Sequence, residues 1–279
     1  MPRIGFMQGR LSPQVGGKIQ AFPWDHWRAE FATAQAAGFD LMEWTLDAER
    51  LYDNPFMTED GRAEIAALRS RHGVEIHSLT GDFFMQAPFH KATGAERARR
   101  LQDLRAVCEA CSILGVRYLV IPLVDAGRID TPAQEADVLE TFIGLGSELR
   151  RLKVAIAFES DYPPRDLARL VRAMGPVFGV NYDIGNSASL GYDPGEEIAA
   201  FGGSIFNVHV KDRLLGGTTV PLGSGNADFP RAFAGLRRAG YAGNFILQTA
   251  RASDGDHRGA LVRYREMTRR WIAECEHAA

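Results

Sequence analysis

Short apolar runs alternate with longer amphipathic segments along the whole chain. Eight of these runs are seven or eight residues long and rich in Val, Ile, Phe and Leu, a composition typical of buried strands. In order, the predicted strands are Arg3–Gly9, Asp40–Leu46, Val74–Thr80, Arg117–Val124, Val154–Ser160, Phe178–Gly185, Ile205–Asp212 and Asn244–Ala250. The segments between them have the spacing of amphipathic helices.

The helical segments carry their own end signals. "WDHWRAEFATAQAAG" ends at Gly38 and "GRAEIAALRSRHG" ends at Gly73, and glycine commonly follows the last turn of a helix. Strand and helix alternate eight times over about 250 residues, the size of a (β/α)8 TIM barrel. No Pro/Ser-rich linker divides the chain, so we predict one domain over residues 1–279.

A doubly wound open sheet is the alternative fold. It would place a glycine-rich phosphate loop directly after the first strand, and the segment found there, "FMQGRLSP", is not such a loop.

The net charge of the chain reduces the number of function classes to consider. The formal net charge is −3, whereas domains that bind nucleic acid usually carry a basic excess, so we expect no nucleic acid partner.

Few cysteines and no recognisable leader predict a reducing, cytoplasmic location. We expect no membrane association, because no apolar run approaches the ~20 residues needed to cross a bilayer.

A barrel predicts where its catalytic groups lie, because active sites form at the carboxyl ends of the strands. Strands five to eight end with Glu159, Asp183, His209 and Gln248. Charged groups within apolar runs are costly unless they are paired or bind a metal. Carboxylate, imidazole and amide oxygen together suit Mn²⁺, Mg²⁺, Co²⁺ or Zn²⁺. The alternative is that each is an isolated barrel residue, hydrogen-bonded to its neighbours.

The remaining strands offer weaker candidates. Arg10 follows strand one and Arg251 follows strand eight, and we predict that both bind substrate, although a solvated arginine is the simpler interpretation. His77 is a further candidate for substrate binding, and Glu43 is a residue that could face the pocket. The segment Gly81–His90 is expected to be a loop after strand three that covers the site.

The motifs at these strand ends occur in a recognisable combination. "FES", "YDIGN" and "HVKD" are followed by "PLGSGNADF" and by "GYAGNFILQ". In this combination the chain resembles the xylose-isomerase-like barrels, the sugar phosphate isomerase/epimerase superfamily that also contains endonuclease IV. The resemblance extends from "IGFMQGRLSP" near the amino terminus to the eighth strand.

The resemblance implies one divalent metal, most often Mn²⁺, held by Glu, Asp, His and Glu from strands five to eight. Glu159, Asp183 and His209 match the first three positions, but Gln248 stands where the family has glutamate. Asn186 likewise replaces a histidine that binds substrate in many ketose epimerases. The "KDR" segment, which contains Lys211 and Arg213, often lies near substrate in the family.

The family mechanism relies on two glutamates on opposite faces of the substrate. Gln248 keeps an oxygen for the metal but cannot accept a proton. Glu159 then remains as the base, with Lys211 as a second catalytic group, and we favour isomerisation over epimerisation. A second base, if the reaction needs one, would be Lys211, Asp161, His77 or a metal-bound water.

The leading hypothesis is therefore a metal-dependent isomerase or epimerase of a small sugar, sugar phosphate or polyol. A dehydratase of a cyclic polyol or keto acid and a sugar-binding barrel without turnover remain alternatives. An activity like that of endonuclease IV is disfavoured, because it needs three metals and the chain has only seven histidines. The resemblance leaves a homodimer or homotetramer open.

Overall fold

Eight parallel strands form a closed barrel in the computed structural model, which describes residues 2–277. Their bounds are β1 Ile4–Met7, β2 Leu41–Thr45, β3 Glu75–Thr80, β4 Tyr118–Leu123, β5 Ala155–Ser160, β6 Phe178–Asp183, β7 Ile205–Val210 and β10 Phe245–Leu247. The two short strands β8 (Asp212–Arg213) and β9 (Thr219–Val220) lie outside the barrel. Each barrel strand pairs in parallel with the next, and β10 closes the barrel between β7 and β1. The predicted (β/α)8 barrel is thereby confirmed.

Helices lie between the strands along the chain. Their bounds are α1 Trp27–Ala36, α2 Glu59–His72, α3 Asp82–Gln86, α4 Gly94–Leu114, α5 Pro132–Leu152, α6 Pro164–Met174, α7 Ile184–Leu190, α8 Pro194–Phe201, α9 Phe229–Arg238 and α10 His257–His277. Capping begins two of the long helices, because the hydroxyls of Thr58 and Thr131 accept backbone N–H groups of the first turns of α2 and α5. None of the helices in residues 2–277 has the length and apolar character needed to cross a bilayer.

The main hydrophobic core includes both strand and helix side chains. Phe142 of α5, for example, packs edge-on against Phe158 of β5 with ring centroids 4.9 Å apart. The interior of the barrel holds a polar cluster instead. Because side chains alternate along a strand, Asn181 and Asp183 share one face of β6, and Asn207 and His209 share one face of β7.

Two local structures differ from the sequence prediction. The seventh barrel strand ends at Val210, and Asp212–Arg213 (β8) pairs antiparallel with Thr219–Val220 (β9) in a separate small sheet. The segment predicted as a loop after strand three contains the short helix α3, whose first residue is Asp82.

Candidate metal centre

Three potential metal ligands come together at the carboxyl end of the barrel. Glu159, Asp183 and His209 each offer one ligand atom, and these atoms lie within 4.8 Å of one another. Their strands are neighbours, and Asp183 pairs directly with His209 in the register of β6 and β7. All three side chains are buried. Two carboxylates and one imidazole are donors that divalent ions such as Mn²⁺, Mg²⁺ and Zn²⁺ accept, so the residues fit the predicted metal.

His209 is oriented by a carboxylate beneath it. Its Nε2 lies 2.7 Å from Oε1 of Glu43, while its Nδ1 lies 3.2 Å from Oε2 of Glu159 and 3.8 Å from Oδ2 of Asp183. An Nε2–H that donates to Glu43 leaves the Nδ1 lone pair directed at the ligand cluster. Histidines that bind metals commonly have such a carboxylate partner on their other nitrogen.

Glu43 is fully buried and receives several further donors. Its carboxylate accepts hydrogen bonds from the hydroxyls of Ser78 and Thr80 and from Nδ2 of Asn207, as well as facing His209. Burial alone would raise the pKa of Glu43, but the positive charge of His209 and these hydrogen bonds outweigh burial and lower it. Burial alone would lower the pKa of His209, but the negative charge of Glu43 and the contacts with Asp183 and Glu159 outweigh burial and raise it.

Two asparagines that the sequence analysis did not single out complete this network. Nδ2 of Asn181 donates to Oε2 of Glu159 at 2.8 Å, and Nδ2 of Asn207 donates to Oδ1 of Asn181 at 2.9 Å. Their position was readable from the sequence, because each stands two residues before a predicted ligand and therefore on the same face of its strand.

Asn186, in the first turn of α7, connects the ligand cluster to an arginine. Its Nδ2 donates to Oε1 of Glu159 at 2.5 Å, and its Oδ1 accepts from Nη1 of Arg213 at 2.9 Å. Its backbone N–H donates to Oδ1 of Asp183 at 2.8 Å. Asn186, which stands where many ketose epimerases have histidine, thus holds the carboxylate of Glu159, the base predicted from the sequence, in place.

Lys211 and Gln248 lie on the other side of the cluster. Nζ of Lys211 is 3.3 Å from Oδ2 of Asp183 and 3.1 Å from Oε1 of Gln248. Burial would raise the pKa of Asp183, but the charge of Lys211 and the contacts with His209 outweigh it and lower the pKa to about 2. The amide oxygen of Gln248 is therefore hydrogen-bonded to a lysine beside the three ligands.

Asp212 explains the glycine-rich segment that follows "HVKD". Its buried carboxylate accepts the backbone N–H groups of Gly223, Gly225 and Ala227 at 2.8, 2.9 and 3.1 Å. A Cβ at Gly225 would come within 2.2 Å of Oδ1 of Asp212. The segment therefore wraps closely around one carboxylate, directly next to Lys211.

A cavity of about 490 Å³ opens above the ligand cluster. Its lining includes Glu159, Asn186, Lys211, Arg213 and Gln248. These five sequence candidates share one cavity, and Asp183 and His209 lie buried beside them.

The other three candidates for substrate binding lie outside the cavity lining. Arg10 donates to the carbonyl oxygens of Ile19 and Thr249, and Arg251 donates to those of Gly9 and Ser12. Both arginines therefore brace the loop after β1 and the segment after β10.

His77 lies near the amino ends of the strands, with Nδ1 3.2 Å from Nδ2 of Asn244, the residue before β10. We therefore leave Arg10, Arg251 and His77 out of the proposed substrate site.

Comparison with known proteins agrees with this geometry. The chain is 28% identical over 237 residues to L-ribulose-5-phosphate 3-epimerase UlaE of Salmonella paratyphi A, covering 80% of this chain and 81% of the relative. An L-ribulose 3-epimerase structure superposes with a TM-score of 0.77 at 17% identity, covering 100% and 97% of the two chains. A xylose isomerase-like TIM barrel protein from Mycobacterium smegmatis in complex with magnesium superposes with a TM-score of 0.71 at 17% identity, covering 99% and 98%.

The family profile described as xylose isomerase-like TIM barrel matches residues 31–274. That range includes every strand from β2 to β10 and all of the candidate metal ligands. The chain belongs to the xylose isomerase-like TIM barrel family.

Proposed function

We propose that this protein is a divalent-metal-dependent isomerase or epimerase of a small sugar or sugar phosphate. The observation that carries the proposal is the convergence of Glu159, Asp183 and His209 at one end of the barrel, under a cavity of sugar-binding size. Similarity over most of the chain to an L-ribulose-5-phosphate 3-epimerase supports the same reaction class. Both reactions begin with removal of a proton from a carbon next to a carbonyl.

Glu159, Asp183 and His209 would hold the metal, with the amide oxygen of Gln248 as the predicted fourth donor. A bound divalent ion supplies Lewis acidity, which polarises a carbonyl oxygen and acidifies the neighbouring C–H. We propose Mn²⁺ as the first ion to test, since the donor set also accepts Mg²⁺, Co²⁺ and Zn²⁺.

Glu159 is the proposed base. Amide groups of Asn181 and Asn186 hold its two oxygens, so the carboxylate lies fixed on the cavity wall rather than free to rotate. A base must lie within hydrogen-bond reach of the proton that it removes, and a fixed carboxylate satisfies that requirement best. Lys211 is positioned beside it to donate a hydrogen bond to a substrate oxygen.

The size and charge of the cavity support the proposed substrate class. A volume of about 490 Å³ lies within the usual range of small-molecule sites, roughly 300 to 1,000 Å³. Arg128, Lys211 and Arg213 place three cationic groups on its wall beside several carboxyl groups, a mixed lining that suits the hydroxyl or phosphate oxygens of a sugar.

Solvent exchange tests the proposal directly. Protein loaded with Mg²⁺ or Mn²⁺ is incubated in D₂O with L-ribulose, L-ribulose 5-phosphate and D-allulose, and deuterium incorporation is measured by mass spectrometry. Glu159→Gln should lower exchange by about 10²- to 10⁴-fold, the usual contribution of a general base. Gln248→Ala at saturating metal should retain it, because the base is still present.

Wild-type exchange rates in Glu159→Gln would contradict the assignment of the base. Elemental analysis after loading provides the metal control. Stoichiometric metal in wild-type protein and loss of that metal in Asp183→Asn are expected. A protein that binds a ketose, but binds no metal and catalyses no deuterium exchange, would instead be a sugar-binding barrel without turnover.

A further inference from the structure

A second carboxyl group, that of Asp82, lies on the wall of the cavity that contains Glu159. Asp82 is the second residue after the carboxyl end of β3 and the first residue of α3. Only 7% of its surface is exposed. Within residues 2–277 its side chain accepts one hydrogen bond, which Nε2 of Gln20 donates to Oδ2 over 2.5 Å. The side chain forms no ion pair with any of these residues. A buried acid next to a cavity without a cationic partner is unusual, because burial normally requires a compensating charge.

Asp82 is connected to the position that lacks a carboxylate. Nε2 of Gln248 donates to Oε1 of Gln20 at 3.1 Å, and Gln20 in turn donates to Asp82. Both glutamines line the same cavity as Asp82. A carboxyl group is thus connected to residue 248, where the family carboxylate is missing, through the single side chain of Gln20.

The environment of Asp82 allows it to carry a proton near neutral pH. Burial, the negative charge of Asp47 and that of Glu159 raise its pKa to about 7, against the opposing effects of Gln20 and Arg10. A group that transfers protons works best when its pKa lies close to the working pH.

We propose that Asp82 is the second proton-transfer residue of this site and makes epimerisation available to it. This assignment rests on the proposed function. Glu159 removes the proton from the carbon beside the carbonyl, and the C–H electron pair forms the C=C bond of an enediolate as the carbonyl π pair moves onto oxygen. When the C=O bond re-forms, the C=C pair takes the Asp82 proton on the opposite face, leaving Glu159 protonated and Asp82 ionised. Exchange with water then resets both groups.

The other side chains considered as a second base either have other partners or lie away from the cavity. Asp161 forms an ion pair with Arg128, and His77 lies near the opposite end of the barrel. Lys211 donates to Asp183 and Gln248. Among these groups, Asp82 alone combines a place on the cavity wall with a carboxyl group that no cation neutralises.

The test separates proton removal from proton delivery. Mg²⁺-loaded wild type, Asp82→Asn and Glu159→Gln are incubated in D₂O with L-ribulose 5-phosphate, L-ribulose and D-allulose. Deuterium in recovered substrate and formation of the C3 epimer are followed separately by NMR. Asp82→Asn should still exchange deuterium into recovered substrate but form epimer at least ~100-fold more slowly. Asp60→Asn is the matched control, because Asp60 is an exposed carboxylate in α2 that does not line the cavity, and it should match wild type in both measurements.

The outcomes distinguish the two proposals. Epimer formation by Asp82→Asn at the wild-type rate, with wild-type exchange, would overturn the role of Asp82 and leave the proposed function standing. Wild-type protein that neither exchanges nor converts any of the three ketoses contradicts the proposed function and the role of Asp82 together. Loss of both exchange and epimer in Asp82→Asn, with its fold intact by circular dichroism, would indicate a structural role and also overturn the assignment.

A measurement without substrate provides an independent check. Metal-free protein labelled with ¹³C at the aspartate carboxyls is titrated by NMR, which excludes the glutamates from the spectrum. One aspartate should titrate near pH 7 in the wild type and be absent from Asp82→Asn. If every aspartate titrates below about pH 5, the ordinary range for an aspartate, the assignment is wrong.

Discussion

Glu43 contacts the candidate metal centre through His209 and does not line the cavity. Its carboxylate accepts from Ser78, Thr80 and Asn207 and faces Nε2 of the histidine. A carboxylate has only acceptors, which matches a position surrounded by donors. The residue was readable in the sequence as a charge within an apolar strand, but its role as partner of His209 was not, because the two residues are 166 positions apart.

Glu43→Gln tests this role. The glutamine amide places two N–H donors where donors already converge, so the His209 ring loses its fixed orientation. We expect metal affinity to fall by about 10- to 100-fold, the usual cost of losing such a partner. Isothermal titration with Mn²⁺ measures it. Glu64→Gln, which alters an exposed ion pair with Arg28, should bind metal as wild type does. Equal affinities in the two variants would contradict the role of Glu43.

Metal binding should also depend on pH through His209. Burial lowers its pKa, but the charge of Glu43 outweighs burial and raises the pKa above the ordinary value, so we expect the metal to displace a proton when it binds. We therefore expect Mn²⁺ affinity to rise with pH and binding to release protons. Calorimetric titration in buffers of different ionisation enthalpy counts the released protons. An enthalpy that is the same in every buffer would show that no proton is displaced.

At the scale of elements, the packing of α7 against the segment after β7 positions Lys211. Gly185 is the second residue of α7 and follows Asp183 by two positions in the sequence. A Cβ added at Gly185 would lie 2.7 Å from Cγ and 2.8 Å from the carbonyl carbon of Lys211. Real Cβ contacts are longer, so either the helix or the lysine would have to move. The glycine in "DIGN" is thus required by close approach of two backbones.

Gly185→Ala should therefore reduce deuterium exchange into ketoses by displacing Lys211 from Asp183. Gly144→Ala is the matched control, because Gly144 lies in α5 with no atom within 4 Å of an added Cβ. The control should keep wild-type exchange and gain about 0.5–1 kcal/mol of stability, the usual advantage of alanine over glycine in a helix. Thermal denaturation gives the second quantity. Wild-type exchange in Gly185→Ala would show that the contact is accommodated.

For the whole molecule, three buried carboxyl groups affect how stability depends on pH. Burial raises the pKa of Glu30, Asp82 and Glu197 to about 7 in each case. Their pKa values in the unfolded chain are lower, so the folded protein binds more protons between the two values. The stability that these groups contribute is present at pH ~4 and is lost as pH rises through 7.

We therefore expect the free energy of unfolding in urea to fall from about pH 5 to pH 8. Glu197→Gln should flatten this dependence, because a neutral amide replaces a carboxyl that contacts Ser187 and Tyr182. The exposed neighbour Glu196→Gln leaves the dependence unchanged. A slope in Glu197→Gln equal to that of wild type would show that Glu197 does not titrate in this range.

The sequence predicted the barrel and the grouping of three candidate ligands for one physical reason. Parallel strands end at one rim, so Glu159, Asp183 and His209 could be assigned to a common site from their strands alone. Arg10 and Arg251 could not be assigned in this way, because their partners are backbone carbonyls, which no sequence pattern reveals.

His77 shows a different limit. The pairing of β2 with β3 passes from Ile76 to Ser78, so His77 is an extra residue in the ladder. Such a bulge shifts the alternation of side chains, so alternation along the strand does not predict which way His77 points. Asp82 was missed because its segment was expected to be a loop, and its proximity to Gln20 joins residues 62 positions apart.

The two glutamine amides give the hydrogen bonds at the cavity wall a single direction. Lys211 donates to Gln248, Gln248 donates to Gln20, and Gln20 donates to Oδ2 of Asp82. Because Lys211 has only donors, and each amide has one donor end and one acceptor end, neither glutamine can turn over without losing its hydrogen bonds to its neighbours. The proton of Asp82 therefore belongs on Oδ1, the oxygen that Gln20 leaves free. A glutamate at 248 has no N–H to donate to Oε1 of Gln20, so the directed chain that leaves Oδ1 of Asp82 free requires an amide at this position.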